Sequence, residues 1–170
     1  MTGQGNFFRG CQKGLTLLEL MFTIAVLVVL LGVGVPSFLG TIQENRAVST
    51  ANDLLYHLKM TRSAAVEKAR VFRFCPRDPD HATDCGSDWA DGWQILDVDD
   101  DELVAEVNAP SNVTVSVLDS GGSAITQIDF TATGTVDGGA ISLEVQSGDK
   151  SRWVCVRGVG NSRVEEEACS

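Results

Sequence analysis

Between Asp78 and Asp149 the chain carries sixteen Asp and Glu residues and not one Lys or Arg. Over all 170 residues, 13 Lys+Arg face 23 Asp+Glu, a formal charge of −10 at pH 7. Such a surface repels phosphate unless its few cations cluster, which argues against a general nucleic-acid binder. Histidine is scarcer still: His57 sits in a helical pattern, His81 in a polar loop, and there is no other. No G-x-S-x-G, H-E-x-x-H or P-loop spacing accompanies them, so the chain is not expected to be an enzyme. No C-x-x-C pair is present for a zinc site, and His81 is the only imidazole near the cysteines. Neither a metal nor a cofactor is expected. Aromatic residues make up 6%, and no internal repeat or low-complexity segment interrupts the chain. Length and composition suit one modest globular domain.

Charge is also missing from residues 15–39, where Glu19 is the single ionisable group. As a helix of 1.5 Å rise, twenty-five residues reach roughly 37 Å, more than the roughly 30 Å hydrocarbon core of a bilayer. The stretch is therefore read as a membrane span. Residues 1–14 hold Arg9 and Lys13 and no acid, and a cationic flank stays on the cytoplasmic side. The remainder, residues 40–170, then faces outward, away from the cytoplasm. A secretory signal peptide fits less well, because its apolar core is only about 7–15 residues long and ends at small residues.

The front edge of the apolar run reads Lys13-Gly14-Leu15-Thr16-Leu17-Leu18-Glu19. Here the sequence resembles the type IV pilin and pseudopilin superfamily. In that family a leader ending in Gly is cut by a prepilin peptidase before a hydrophobic residue, and Glu stands at the fifth mature position. Counted from Leu15, Glu19 is fifth and Pro36 twenty-second, where pilins often carry a helix-kinking proline. The resemblance implies cleavage between Gly14 and Leu15, N-methylation of Leu15, and an assembly role for Glu19 and Pro36. A carboxylate at membrane depth costs about 2.5–3.5 kcal/mol, so Glu19 should have a partner. The family supplies one, the positive amino terminus of a neighbouring subunit. Pro36 lacks an N–H and clashes with the carbonyl four residues back, and with Gly32 and Gly34 beside it, bending or melting of the helix is expected there.

Beyond residue 39 the helical period persists with a mixed composition. Ala47, Val48, Ala51, Leu54, Leu55, Leu58, Ala65, Val66 and Ala69 recur at three- and four-residue spacing. One helix over 15–69 is predicted, with no linker between its halves, the second half (40–69) packing against a sheet. From residue 71 the period becomes two. Strands are predicted over 71–75, 93–98, 103–107, 113–118, 125–130, 140–145, 152–157 and 163–167, punctuated by glycine-rich turns. The class is α+β, a pilin fold with an antiparallel sheet, whose buried face takes Val113, Val115 and Val117, or Ile141, Leu143 and Val145.

Cys11 lies in the leader and leaves with it. The other four cysteines allow three pairings, and an outward-facing domain favours their oxidation. Proximity favours Cys75–Cys85 and Cys155–Cys169. The acidic run Asp97-Val98-Asp99-Asp100-Asp101-Glu102 starts like a calcium loop, but Glu102 stands where Gly is needed and Asn108 where a bidentate Glu is needed. A solvated hairpin turn is expected.

Cys75, Cys85 and the segment Trp89-Ala90-Asp91-Gly92-Trp93-Gln94-Ile95-Leu96-Asp97 resemble the minor pilins and pseudopilins of the FimT/FimU/GspH type. That resemblance implies a low-abundance subunit that primes pilus assembly or sits at the tip, or its counterpart in a type II secretion pseudopilus. Its partners would be other major and minor pilin subunits, prepilin peptidase, the inner-membrane assembly platform and membrane lipid. Some FimT-type pilins are associated with DNA through a G-R-x-R motif. Here the position reads Gly160-Asn161-Ser162-Arg163, without the first Arg, and acids follow at once. Only Lys150, Arg152, Arg157 and Arg163, with the 59–77 stretch, could meet phosphate, and the surrounding acids argue against DNA as a partner.

Overall fold

A computed structural model describes residue 14 and residues 16–169, the side chains of 33–37 excepted. Two compact units, Met1–Leu39 and Gly40–Ser170, divide the chain. Helix α1, Leu17–Lys68, belongs to both. Its backbone stays helical through Pro36, so the melting expected there does not occur. Proline removes one rung of the ladder, and the rungs on either side carry the helix across.

Within the second unit the buried residues of α1 are Ala47, Thr50, Ala51, Leu54, His57, Leu58, Thr61 and Ala65, one stripe at helical spacing. Val66, placed on that stripe by the sequence pattern, is instead 51% exposed. The helix ends where Ala69 takes a left-handed conformation (φ 51°) and Arg70 N–H closes onto the Ala65 carbonyl at 3.1 Å. This six-to-one bond satisfies an orphan carbonyl of the last turn.

Eight strands follow: β1 (Phe72–Pro76), β2 (Trp93–Asp97), β3 (Glu102–Val107), β4 (Thr114–Asp119), β5 (Ile128–Phe130), β6 (Ile141–Ser147), β7 (Lys150–Val156) and β8 (Ser162–Glu165). The expected antiparallel pairing holds, but the strands form two four-stranded sheets, β3-β2-β1-β5 and β4-β6-β7-β8. Sequence periodicity assigns strands and not their neighbours, so a split sheet leaves no mark in it. Val115 and Val117, and Ile141, Leu143 and Val145, are buried as the alternation requires, while Val113 is half-buried just before β4. One core joins these residues to Leu54 and Leu58 of α1 and to Phe72, Phe74, Trp93 and Phe130.

Gly92 has a strict reason to be glycine. Its φ is 109°, and an added Cβ would collide with the Val107 carbonyl oxygen. Only there can β2 start so close to the end of β3, which puts Trp93, fully buried, into the core. The expected solvated turn after β2 is correct for residues 98–101 but not for Asp97. That carboxylate is fully buried, 3.4 Å from Lys68 Nζ and 3.7 Å from Arg70 Nη1. It ties the end of α1 to the β2–β3 hairpin, and its Oδ1 accepts from Asp99 N–H at 3.2 Å.

Candidate assembly surface

The amino-terminal end of α1 is built by Thr16. Its hydroxyl accepts from Glu19 N–H at 3.2 Å and its carbonyl from Leu20 N–H at 3.1 Å. Thr16-x-x-Glu19 is the spacing of a capping box, with the Thr side chain satisfying one of the four free N–H groups of the first turn. Sequence reasoning missed Thr16 although that spacing was its signal. Glu19 consequently sits in the first turn, where the helix macrodipole favours a negative charge. Gly14 is exposed and lies outside the helix. Leu15, the residue expected to carry the methyl group, lies outside the described residues, as do the rest of the leader and the Pro36 side chain.

Around and beyond Glu19 the helix exposes large apolar side chains on every side: Leu17, Leu18, Met21, Phe22, Val28 and Leu30 are each more than 60% exposed. A helix that is apolar all round requires lipid or other protein about it. Among the described residues no helix is long and apolar enough to cross a membrane. The expected span over 15–39 includes Leu15 and the side chains of 33–37, which are outside that description.

In the second unit the four candidate DNA-contacting cations do not converge. Arg152 pairs with Glu44 of α1 and, at 3.4 Å, with Glu166. Arg163 pairs with Glu165, and Lys150 lies 3.6 Å from Asp149. Only Arg157 has no side-chain partner among the described residues. The registers Val145↔Arg152 and Cys155↔Arg163 put Arg152 on the same face as buried Val145 and Arg163 on the opposite face. In the 59–77 stretch, Arg73 grips Asp129 at 2.7 and 2.8 Å, and Arg77 meets Glu106 at 3.0 Å. Arg70 pairs with Asp100, which holds its guanidinium above the ordinary value, chiefly by their hydrogen bond.

Arg62 is the other functional residue the sequence did not disclose, because its partners lie 72 to 99 residues away. It reaches under the 159–162 loop, where Gly160 (φ 81°) has no room for a Cβ between the Gly134 carbonyl and the Arg62 side chain. Two disulfides hold the same unit, Cys75–Cys85 with S–S 2.04 Å and Cys155–Cys169 with S–S 1.98 Å. The first closes the polar loop between β1 and β2, and the second fastens the carboxyl-terminal tail to β7. His57 is buried on α1 with Nδ1 donating to the Asp53 carbonyl at 2.8 Å. Among the described residues no group of three or more His, Cys, Asp or Glu is placed to hold a metal ion.

An amino-terminal helix with an apolar exposed half, followed by a disulfide-closed antiparallel β domain, defines a pilin-type filament subunit. The chain belongs to the family described as Type II transport protein GspH, whose model matches residues 50–160. The prokaryotic N-terminal methylation motif matches residues 9–35. Among solved structures, the type IV minor pilin FimU of Pseudomonas aeruginosa PAO1 is 19% identical, with TM-score 0.56 over 74% of this chain and 94% of that one. The minor pseudopilin EpsH from the type II secretion system of Vibrio cholerae is 14% identical, with TM-score 0.55 over 75% and 98%. At these identities the two show a common fold. No curated protein sequence matches. The chain is thus a member of the type IV pilin and pseudopilin superfamily.

Proposed function

We propose that the chain is a minor type IV pilin. In this reading prepilin peptidase removes residues 1–14, Leu15 becomes the N-methylated amino terminus, and residues 15–39 hold the subunit in the bacterial inner membrane. Its amino terminus is cytoplasmic and residues 40–170 are periplasmic. The assembly platform then draws the helix into a filament, where its apolar side chains exchange lipid for neighbouring helices and Glu19 sets the axial register. The domain primes assembly or sits at the tip, meeting other minor and major subunits.

The observation that carries this reading is the apolar first half of α1, exposed all round and led by Thr16 and a lone Glu19. The methylation motif spanning Gly14, Leu15 and Glu19 supports it. A second reading, a minor pseudopilin of a type II secretion system, is favoured by the description of the matching family. Association of Arg152 and Arg163 with carboxylates speaks for leaving DNA out of both.

Deleting the gene in its host separates them. Loss of surface pili with secretion intact is expected, whereas loss of secretion with pili intact selects the pseudopilus. Mass spectrometry of the mature chain should find methylated Leu15 at its start. A different first residue, or a full-length leader on assembled protein, refutes the processing step.

A further inference from the structure

Seven cations of the second unit lie within 4.0 Å of a carboxylate: Lys68, Arg70, Arg73, Arg77, Lys150, Arg152 and Arg163. Arg46, Lys59, Arg62 and Arg157 have no such pair among the described residues, and of these Lys59 and Arg62 stand side by side at one cavity. Arg62 Nε donates to the Gly134 carbonyl at 2.9 Å, Nη1 to Asn161 Oδ1 at 3.2 Å and Nη2 to the Val159 carbonyl at 3.1 Å. All three acceptors are uncharged, so the guanidinium is fixed in place and its charge is left without a counter-ion. Lys59, one turn earlier on α1, is exposed and has no ion pair among the described residues. Both line an open cavity of about 680 Å³ between α1 and the 159–162 loop, together with Ser63 and Asn161. Val66 on its lining and Val159 in the bordering loop are 51% and 60% exposed.

We propose that this notch receives an acidic loop of a neighbouring pilin-family subunit, with Lys59 and Arg62 supplying the positive charge and Val66 and Val159 the apolar rim. The inference rests on the chain's being a filament subunit. Subunits stacked by a repeated head-to-tail operation present different surfaces to each other, so a cationic notch on one requires an acidic surface on the next. The exposed Asp99, Asp101 and Glu102 of the β2–β3 hairpin exemplify such a segment in the fold. A fixed guanidinium beside a mobile ammonium recognises a carboxylate through charge-assisted hydrogen bonds. Glu67 also lines the cavity and makes no ion pair among the described residues, so it lowers the local charge. Two cations on a molecule of charge −10 make a poor phosphate track, because each phosphate contact must be won against that field.

The test uses the full chain assembled in its host. A carbodiimide of zero length joins a lysine amine to a carboxylate only when the two are paired, and mass spectrometry reads the amide. Lys59 should be joined to an Asp or Glu of another pilin subunit. Lys59→Glu should lower incorporation into filaments about tenfold, Lys59→Arg should restore it, and Glu67→Gln should raise it, as expected when charge fixes orientation and register at an interface. A Lys59 amide confined to the chain's own Glu67, no Lys59 amide at all, or unchanged incorporation of Lys59→Glu overturns the proposal. Incorporation that falls on nuclease treatment overturns it in favour of nucleic acid. If the parental chain itself never enters a filament, the subunit reading fails first; if it enters without the Lys59 amide, only the notch fails.

Discussion

Arg73 and Asp129 stand directly opposite each other on β1 and β5, and truncating either should destabilise the domain by about 2–3 kcal/mol. The register makes them Cα partners, and both nitrogen–oxygen bonds are formed, Nε to Oδ1 at 2.7 Å and Nη2 to Oδ2 at 2.8 Å. Two hydrogen bonds to charged groups are worth about 1.5–3 kcal/mol each. The side chains keep 28% and 17% exposure, so a survivor is partly rehydrated and the loss falls short of the full sum. Because the second removal relieves an unpaired charge, Arg73→Ala/Asp129→Ala should cost about 1.5 kcal/mol less than the two singles added. The hydrogen bond to Asp129 is also the main reason the Arg73 pKa is raised above its ordinary value. A raised pKa contributes stability that is present at lower pH and lost only as pH rises through the folded value. The contribution is therefore constant across the neutral range. Thermal unfolding of the full chain in detergent, followed by near-ultraviolet circular dichroism, should show each single variant about 4–12 °C below the parent. A single variant within about 1 °C of the parent, or strict additivity in the double, refutes the reasoning.

Glu19→Ala should yield processed, membrane-held protein that fails to enter filaments; incorporation at the parental level, read by immunoblot of sheared filaments, removes the register role. Replacing Cys75 and Cys85 by Ala should cost about 2.7 kcal/mol, and Cys155 with Cys169 about 3.0 kcal/mol, from loop separations of 10 and 14 residues; denaturant midpoints measure both, and an unchanged midpoint refutes the link. Ala69→Gly should stabilise by about 0.5–1 kcal/mol, since the left-handed φ of 51° penalises a Cβ; a lowered melting temperature contradicts this. Asp78 has its carboxyl held below the ordinary 3.8, chiefly by the Asp80 N–H. A lowered folded pKa gives stability present above the unfolded value and lost as pH falls through the folded one. Order in the 77–84 loop should thus decay below about pH 4 in the parent and show no such step in Asp78→Asn.

Much of this architecture was legible because periodicity reports burial. The change from helical spacing after Ala65 to alternation in β4 and β6 follows directly from which side chains face the core. What stayed hidden depends on contacts across long sequence separations. Arg62 reads as one more surface cation in an amphipathic helix, and nothing local says that Gly134, Val159 and Asn161 will surround it. Asp97 reads as the first of a solvated acidic run, yet a strand that continues to that residue carries its carboxylate under Lys68 and Arg70. Strand order is invisible for the same reason: β1 pairs with β5 across more than fifty residues, so the two sheets arise from packing choices that no single strand encodes. At the amino-terminal end the signal is local, because Thr16 and Glu19 stand at capping-box spacing in the sequence.

The distribution of the core fits the proposed reading, in which the amino-terminal stretch of the helix meets first lipid and then neighbouring helices. No described side chain of α1 before Ala47 is among the buried hydrophobics, and both disulfides fall after residue 70. No described side chain of residues 17–39 is thus part of the domain's buried core. Backbone groups in that stretch are satisfied by the helix itself, which is the condition for existing in hydrocarbon at all. Moving the stretch from lipid to a bundle of neighbouring helices leaves its hydrogen bonds intact and exchanges one apolar contact for another, a step driven by packing and not by water exclusion. Glu19 is the one ionisable side chain in the stretch, and on the proposed assembly role a cationic neighbour would meet it only in the bundle. In the proposed reading a single carboxylate would thus set register across an otherwise apolar surface, with partner choice left to the charged relief of the domain.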